Sequence, residues 1–359
     1  MPFGDDWARA AQRLHLQLRE SRHPKLLGVE WRRMADALGP VGARRGAPLD
    51  AWMAGTFEGR EVLAFWGPGL GETPVDQCRV IVRVDPPLLL GLAIFPTTPD
   101  DIVMTPEPYR SAGVSPARAE AVMRDPAVWR ELVTIRPDGS SPYAPYVTDS
   151  FVAIAHAHTI PDLALTIRRA AWLGDVVGEV ARALPPDPAE AAIAEAWRRA
   201  SAKGGLAFDP VRMHLGGEHL GVAVEAQLRA CDARRWMEVA AAFPRGLGVD
   251  LSIRREEGVK SWLGRLFARD VEVGEKRFDD TFEIHGAPSE RVREILHLAT
   301  TRELLLDLNA KAIEVACNDT HVAAAFPDEL EPEAAIALVA DATRALAAAV
   351  PALGGPYRA

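Results

Sequence analysis

The chain has 359 residues, 48% hydrophobic and 25% charged, a composition that suits a globular protein of two ordinary domains and excludes a disordered or fibrous one. Its formal net charge of -9 excludes general nucleic-acid binding, which draws its affinity from a basic face. Cys78, Cys231 and Cys317 are odd in number and far apart, so reduced thiols are expected instead of a disulfide framework.

The opening Met-Pro-Phe-Gly-Asp-Asp-Trp lacks the apolar core of a secretory signal. Leu88 to Phe95 and Ala345 to Leu353 are the longest apolar stretches, well short of the roughly 20 residues a membrane span needs. A cytoplasmic protein without a membrane span is therefore expected.

The spacing of Trp7, Ala11, Leu14 and Leu18 predicts a helix over 5–21, and Val29, Met34 and Leu38 predict a second over 28–38. Alternating apolar residues then predict strands at Trp52 to Phe57 and Glu61 to Trp66 around Glu58-Gly59, followed by Cys78 to Val84 and Leu88 to Phe95. Residues 96–129 are proline-rich, with one short helix starting at Ser115-Pro116. Phe151 to His158 reads as a strand, and Pro161 to Leu184 as a long amphipathic helix ended by Pro185-Pro186-Asp187-Pro188. A helix over 189–202, a strand pair over 211–228, strands at 235–243 and 247–254, a short helix at 258–268, a strand at 278–285 and a helix at 288–308 follow. A hairpin, Ala312 to Cys317 and His321 to Phe326 around Asn318-Asp319, and a helix over 331–350 close the chain.

The two halves echo each other. Trp31-Arg32-Arg33 returns as Trp197-Arg198-Arg199; Phe57, Gly59 and Val62 match Leu215, Gly217 and Leu220; Leu92 and Ile94 match Leu251 and Ile253; and Asp149-Ser150-Phe151 matches Asp280-Thr281-Phe282. On this alignment the first copy carries an insertion of about 28 residues near 96–129 and lacks the last hairpin. Runs of strands with short links point to an α+β fold: two tandem copies of an antiparallel β-sheet module with packed helices, preceded by a short helical segment. The expected division is 1–45, 46–187 and 188–359.

Val273-Gly274-Glu275-Lys276-Arg277-Phe278-Asp279-Asp280-Thr281-Phe282-Glu283-Ile284-His285-Gly286, followed by the leucine-rich helix with Ile295, Leu296, Leu304 and Leu305, resembles a pattern of uncharacterised bacterial proteins of unknown function. The resemblance covers roughly 206–350 and, more weakly, 27–203. It implies the α+β module and no activity.

Chemistry-bearing residues are sparse. His156 and His158 stand two apart on a strand, leave the same face and form the one metal-ligand candidate; Val152 and Ile154 share that face, which favours ordinary strand-end histidines. His214 and His219 flank Gly216-Gly217, read as a hairpin turn. Gly67-Pro68-Gly69-Leu70-Gly71 lacks the Gly-Lys-Ser/Thr ending of a phosphate loop. Val259, Trp262, Leu263, Leu266 and Phe267 fall on one helical face beside Lys260, Arg265 and Arg269, a basic amphipathic patch on an acidic protein.

The reading is a non-catalytic cytoplasmic protein-interaction or scaffolding protein with a protein partner and no cofactor, its contacts at Trp262, Phe267, Arg265 and Arg269, with Tyr109 and Arg110 in the insertion. Peripheral membrane contact ranks below a protein partner. The alternatives are an enzyme using His156, His158 or His285 in a cleft between the repeats, and a small-molecule or lipid carrier.

Overall fold

The computed structural model describes residues 10–19, 51–68, 76–96, 108–135, 145–156, 163–231, 233–255 and 271–352. The chain is α+β and divides into two compact units, 1–186 with 230–234, and 187–229 with 235–359.

Among the described residues the first unit holds strands β1 (Gln17–Arg19), β2 (Ala51–Phe57), β3 (Arg60–Pro68), β4 (Asp76–Arg83), β5 (Ala93–Pro96), β6 (Tyr109–Ala112), β7 (Tyr146–Thr148) and β8 (Phe151–His156), with helices α1 (Pro116–Arg124), α2 (Pro126–Ile135) and α3 (Leu163–Ala183). The second unit opens with α4 (Pro188–Gly204) and continues through β9 (Ala207–Asp209), β10 (His214–His219), β11 (Val222–Cys231), β12 (Arg234–Ala242), β13 (Ser252–Arg255), α5 (Lys276–Asp279), β14 (Phe282–His285), α6 (Ser289–Leu296), α7 (Ala299–Lys311), β15 (Glu314–Asn318), β16 (His321–Pro327) and α8 (Pro332–Ala352).

The described strands form two antiparallel sheets of identical topology. The first runs β1-β2-β3-β4-β8-β7-β5-β6 and the second, from the matching edge, β9-β10-β11-β12-β16-β15-β13-β14. Every strand of one copy thus has a counterpart in the other. The edge strands are short, three or four residues, which leaves little unpaired backbone for another chain to add to.

This order corrects the sequence alignment of the repeat. The hairpin β7–β8 is the counterpart of β15–β16, so the first copy does not lack the final hairpin, and Asp149-Ser150-Phe151 corresponds to Asp319-Thr320-His321 instead of Asp280-Thr281-Phe282. The hydrogen bonds confirm the shift. Asp149 accepts from the amides of Leu90 and Leu92 at 2.8 and 3.0 Å, and Asp319 accepts from Val249, Asp250 and Leu251 at 3.1, 2.9 and 2.8 Å. Val84 donates to the Ser150 carbonyl as Phe243 does to that of Thr320, and Leu88 to that of Asp149 as Leu247 does to that of Asp319. Leu92 and Ile94 do match Leu251 and Ile253, because each pair brackets the first residue of β5 or β13.

The hairpin turns correct the register further. Glu58-Gly59 and Leu220-Gly221 are the matching turns, with φ of 49° and 79° in one and 51° and 81° in the other, the two left-handed residues of a type I′ link. His214 and His219 are therefore the first and last residues of β10, and the turn beside His219 is Leu220-Gly221 instead of Gly216-Gly217. The first copy's additional length sits between β1 and β2, at 20–50, where the second has 210–213; residues 96–129 are no insertion, since β6 and α1 within them correspond to β14 and α6. Gly113 and Gly286 occupy matching places, each following that edge strand, with a Cβ-excluding contact to Ala119 or Val292 of the next helix.

At the N-terminus, helical residues 10–14 stop at His15 (φ 55°), and the Leu16 amide reaches the Ala11 carbonyl at 2.9 Å. The second copy repeats this, with Gly205 at φ 66° and Leu206 donating to Ser201 at 3.1 Å. Leu16 and Leu206 are therefore equivalent, which places Trp7 and not Trp31 in sequence register with Trp197. The predicted helix over 5–21 ends early because the left-handed residue turns the chain into β1.

Alternation along the strands explains the cores. Met53, Val62, Ala64, Val80, Val82, Val152 and Ile154 pack with Val122, Leu132, Ile167, Leu173 and Val177 of the helices, joined by Ala11, Leu14 and Leu16. In the first sheet the opposite face is buried as well at Leu63, Ile81 and Ala153, and those strands read as unbroken apolar runs. The second sheet alternates: Val222, Val224, Ala226 and Leu228 are buried while Ala223 and Glu225 are exposed.

Candidate functional site

The first unit carries an exposed tryptophan whose position can be judged against its own repeat. Helix α3 lays Ile167, Ala170, Leu173 and Val177 on its sheet, and α8 does the same with Ile336, Val339, Ala342 and Leu346. Both follow the last strand of their copy and both have 21 residues. On the outer side of α3, Leu165, Arg168, Arg169 and Trp172 recur at helical spacing. Trp172 is 56% exposed and Leu165 43%. The matching residues of α8 are Ala334, Ala337, Leu338 and Asp341.

The surrounding charges hold this face in place. Arg168 donates through Nη2 and Nε to Glu58 Oε1 at 2.7 and 3.0 Å, with its guanidinium carbon 5.4 Å from the centroid of the Phe57 ring. That hydrogen bond is the main reason the Glu58 carboxyl sits below its ordinary pKa. One turn beyond Trp172, Asp175 is paired with Arg60. The tip of the β2–β3 hairpin is thus fixed to α3 on both sides of the tryptophan. Arg169 is exposed and has no ion-pair partner among the described residues. In the second copy Asp341 instead pairs with Arg344 on its own helix at 3.6 Å.

The residues picked out by sequence fall elsewhere. Trp262, Arg265, Phe267 and Arg269 lie at 256–270, outside the described residues, as does His158. Tyr109 is corrected from a contact residue to a core residue: it is fully buried on β6, donates its hydroxyl to the Leu132 carbonyl at 3.1 Å and meets the Trp129 ring edge-on at 6.1 Å. Tyr109→Phe should cost about 1 kcal/mol, the net worth of a neutral hydrogen bond, and Tyr109→Ala about 4 kcal/mol; urea unfolding of the two variants checks the order. Arg110 is half-buried opposite Phe95.

His156 ends β8 in register with Cys78. His285 is half-buried, with Nε2 3.0 Å from Glu283 Oε1. Cross-strand register places His285, Ser252 and Asn318 in one row, and the Asn318 amide lies 3.4 Å from His321 Nε2. Among the described residues no three His, Cys, Asp or Glu side chains converge to hold a metal. The buried Cys317 thiol is pushed up by desolvation, and further by the Asp319 carboxylate, so it stays protonated. Asp279 is likewise structural, accepting from the Val273 and Gly274 amides at 2.9 Å. No helix among the described residues is long and apolar enough to cross a membrane.

The sequence reading passed over Trp172. Its signal was present: on the wheel of the predicted helix it stands with Arg168 and Arg169, away from Ile167, Leu173 and Val177.

No protein-family profile matches the chain, and no curated protein does. Among solved structures, the crystal structure of the mycobacterial trehalose monomycolate transport factor A, TtfA, is similar with a TM-score of 0.33 and 10% identity, over 46% of this chain and 98% of that chain. A TM-score of that size lies below the level of a shared fold.

Proposed function

We propose that the protein is a non-catalytic interaction protein whose first unit presents the Trp172 face of α3 to a protein partner. The observation that carries this reading is the internal one: at the same place in the same module the second copy has Asp341, so the fold does not require an indole there. Trp172 is the one exposed aromatic among the large exposed apolar side chains of the described residues, the others being Val133, Leu165, Val211, Leu220, Leu298 and Ile313. Tryptophan and arginine are the residue types that most often dominate binding energy at interfaces, and the helix carrying the indole is tied to the β2–β3 hairpin one turn to either side of it.

The experiment is capture of partners by wild type and by Trp172→Asp, the residue the second copy uses. Trp172→Asp should leave stability within about 0.5 kcal/mol, as for an exposed position, while weakening a captured partner by about 2 kcal/mol or more, roughly 30-fold. Identical retention by wild type and variant would remove the reading. A Trp262→Ala/Phe267→Ala variant run beside it tests the basic amphipathic segment independently.

A further inference from the structure

We infer that the partner seats an acidic segment with a large apolar anchor on the Leu165–Trp172 face of α3; this rests on the interaction reading above. Leu165 and Trp172 stand seven residues apart, about 10.5 Å along the helix, so they form two apolar contacts separated by two turns. Between them Arg169 is exposed without an ion-pair partner among the described residues, whereas Arg168 is neutralised by Glu58 and Asp175 by Arg60. The centre of the face therefore carries one uncompensated positive charge, on a protein of net charge -9. A carboxylate opposite Arg169 would be matched, and a lysine there would meet like charge.

The second copy supports the pairing of these features. Where the first has Arg169 and Trp172, the second has Leu338 and an Asp341 paired with Arg344, so the anchor and the free cation are both absent from α8. The flanking charges also favour a peptide over an anionic lipid surface. Glu58 and Asp175 are neutralised by Arg168 and Arg60, and Glu179 continues the face; an extended anionic plane would meet the Glu179 carboxylate together with Arg169, while a single acidic side chain meets Arg169 alone.

The test is selection of random dodecapeptides on the full-length protein, with Trp172→Asp as counter-target, followed by affinity measurement of the enriched peptides. The expected result is enrichment of Asp or Glu beside a large apolar residue, with binding reduced at least tenfold by Trp172→Asp, at least fivefold by Arg169→Glu, and progressively by salt. Peptides that depend on Trp172 but show no acidic bias and no loss with Arg169→Glu would overturn this inference and leave the interaction reading standing. A selection yielding no Trp172-dependent peptide would overturn both. Co-flotation with phosphatidylcholine–phosphatidylserine vesicles is the second arm: Trp172-dependent flotation in the absence of selected peptides would assign the face to lipid and overturn the peptide inference.

Discussion

Asp149→Ala should destabilise the first unit by about 4 kcal/mol, because it removes the acceptor of two buried amides. The Asp149 side chain is fully buried, and its two oxygens take Leu90 and Leu92 at 2.8 and 3.0 Å. Those amides belong to the stretch that leads into β5, where Gly91 is held at φ 61°, so the carboxylate fixes a backbone conformation that no sheet ladder supplies. A buried donor left unpaired costs about 1–3 kcal/mol, and a charged acceptor strengthens each bond that is lost. The melting temperature should fall by roughly 8–16 °C for a unit of this size.

The repeat provides the control. Asp319→Ala removes the same clamp from the second copy, but Asp319 is part-buried and Asp250 exposed, so water can enter from that side and a loss of about 1–2 kcal/mol is expected. Asp149→Asn should fall between wild type and alanine, since one amide oxygen still accepts while the new NH2 faces a donor. Hydrogen exchange locates the effect: in Asp149→Ala the Leu90 and Leu92 amides should lose protection while Leu251 keeps its own. Equal losses from Asp149→Ala and Asp319→Ala would show that burial does not set the cost.

Trp197→Ala should cost the second unit about 3–5 kcal/mol, the range for deleting a large aromatic from a core. Trp197 is 2% exposed on α4, and its ring lies 6.5 Å from that of Phe208. Helix α4 is pinned at its start by the Asp187–Glu190 capping box and at its end by the left-handed Gly205, so it has little freedom to collapse into the space left behind. Trp197→Phe should retain most of the stability. The two arginines that follow tell the opposite story: Arg198 pairs with Glu195 at 2.9 Å and Arg199 with Glu331 at 3.6 Å, all exposed, and alanine at either should change stability by less than about 0.5 kcal/mol. Chemical denaturation of the four variants checks this ranking. A small effect from Trp197→Ala would mean that α4 is not held through its tryptophan.

Trp197 and Trp172 together show what a sequence conveys about tryptophan. Both sit in amphipathic helices and both neighbour a pair of arginines, Arg198-Arg199 after one and Arg168-Arg169 before the other. The order decides the outcome: in α4 the pair follows the indole directly and turns away from it, while in α3 the pair stands three and four residues before, on the same side. Helical periodicity separates the two cases.

The α+β class, the antiparallel pairing and the duplication were legible from the chain, because alternation of apolar residues reports local burial and short links between strands permit only antiparallel neighbours. The register of the repeat was not. Matching Asp149-Ser150-Phe151 to Asp280-Thr281-Phe282 relied on residue identity, whereas the structural equivalence of Asp149 with Asp319 rests on what their carboxylates hold, a set of amides about sixty to seventy positions away in sequence. Tyr109 was misread for the same reason: a tyrosine among prolines looks like surface, and its burial depends on Leu132 and Trp129 arriving from α2. The residues by themselves determined which elements form and which side of each is apolar. Which aspartate clamps which loop, and which tryptophan is left facing outward, was decided by the tertiary structure, since these depend on contacts between segments that no local pattern records.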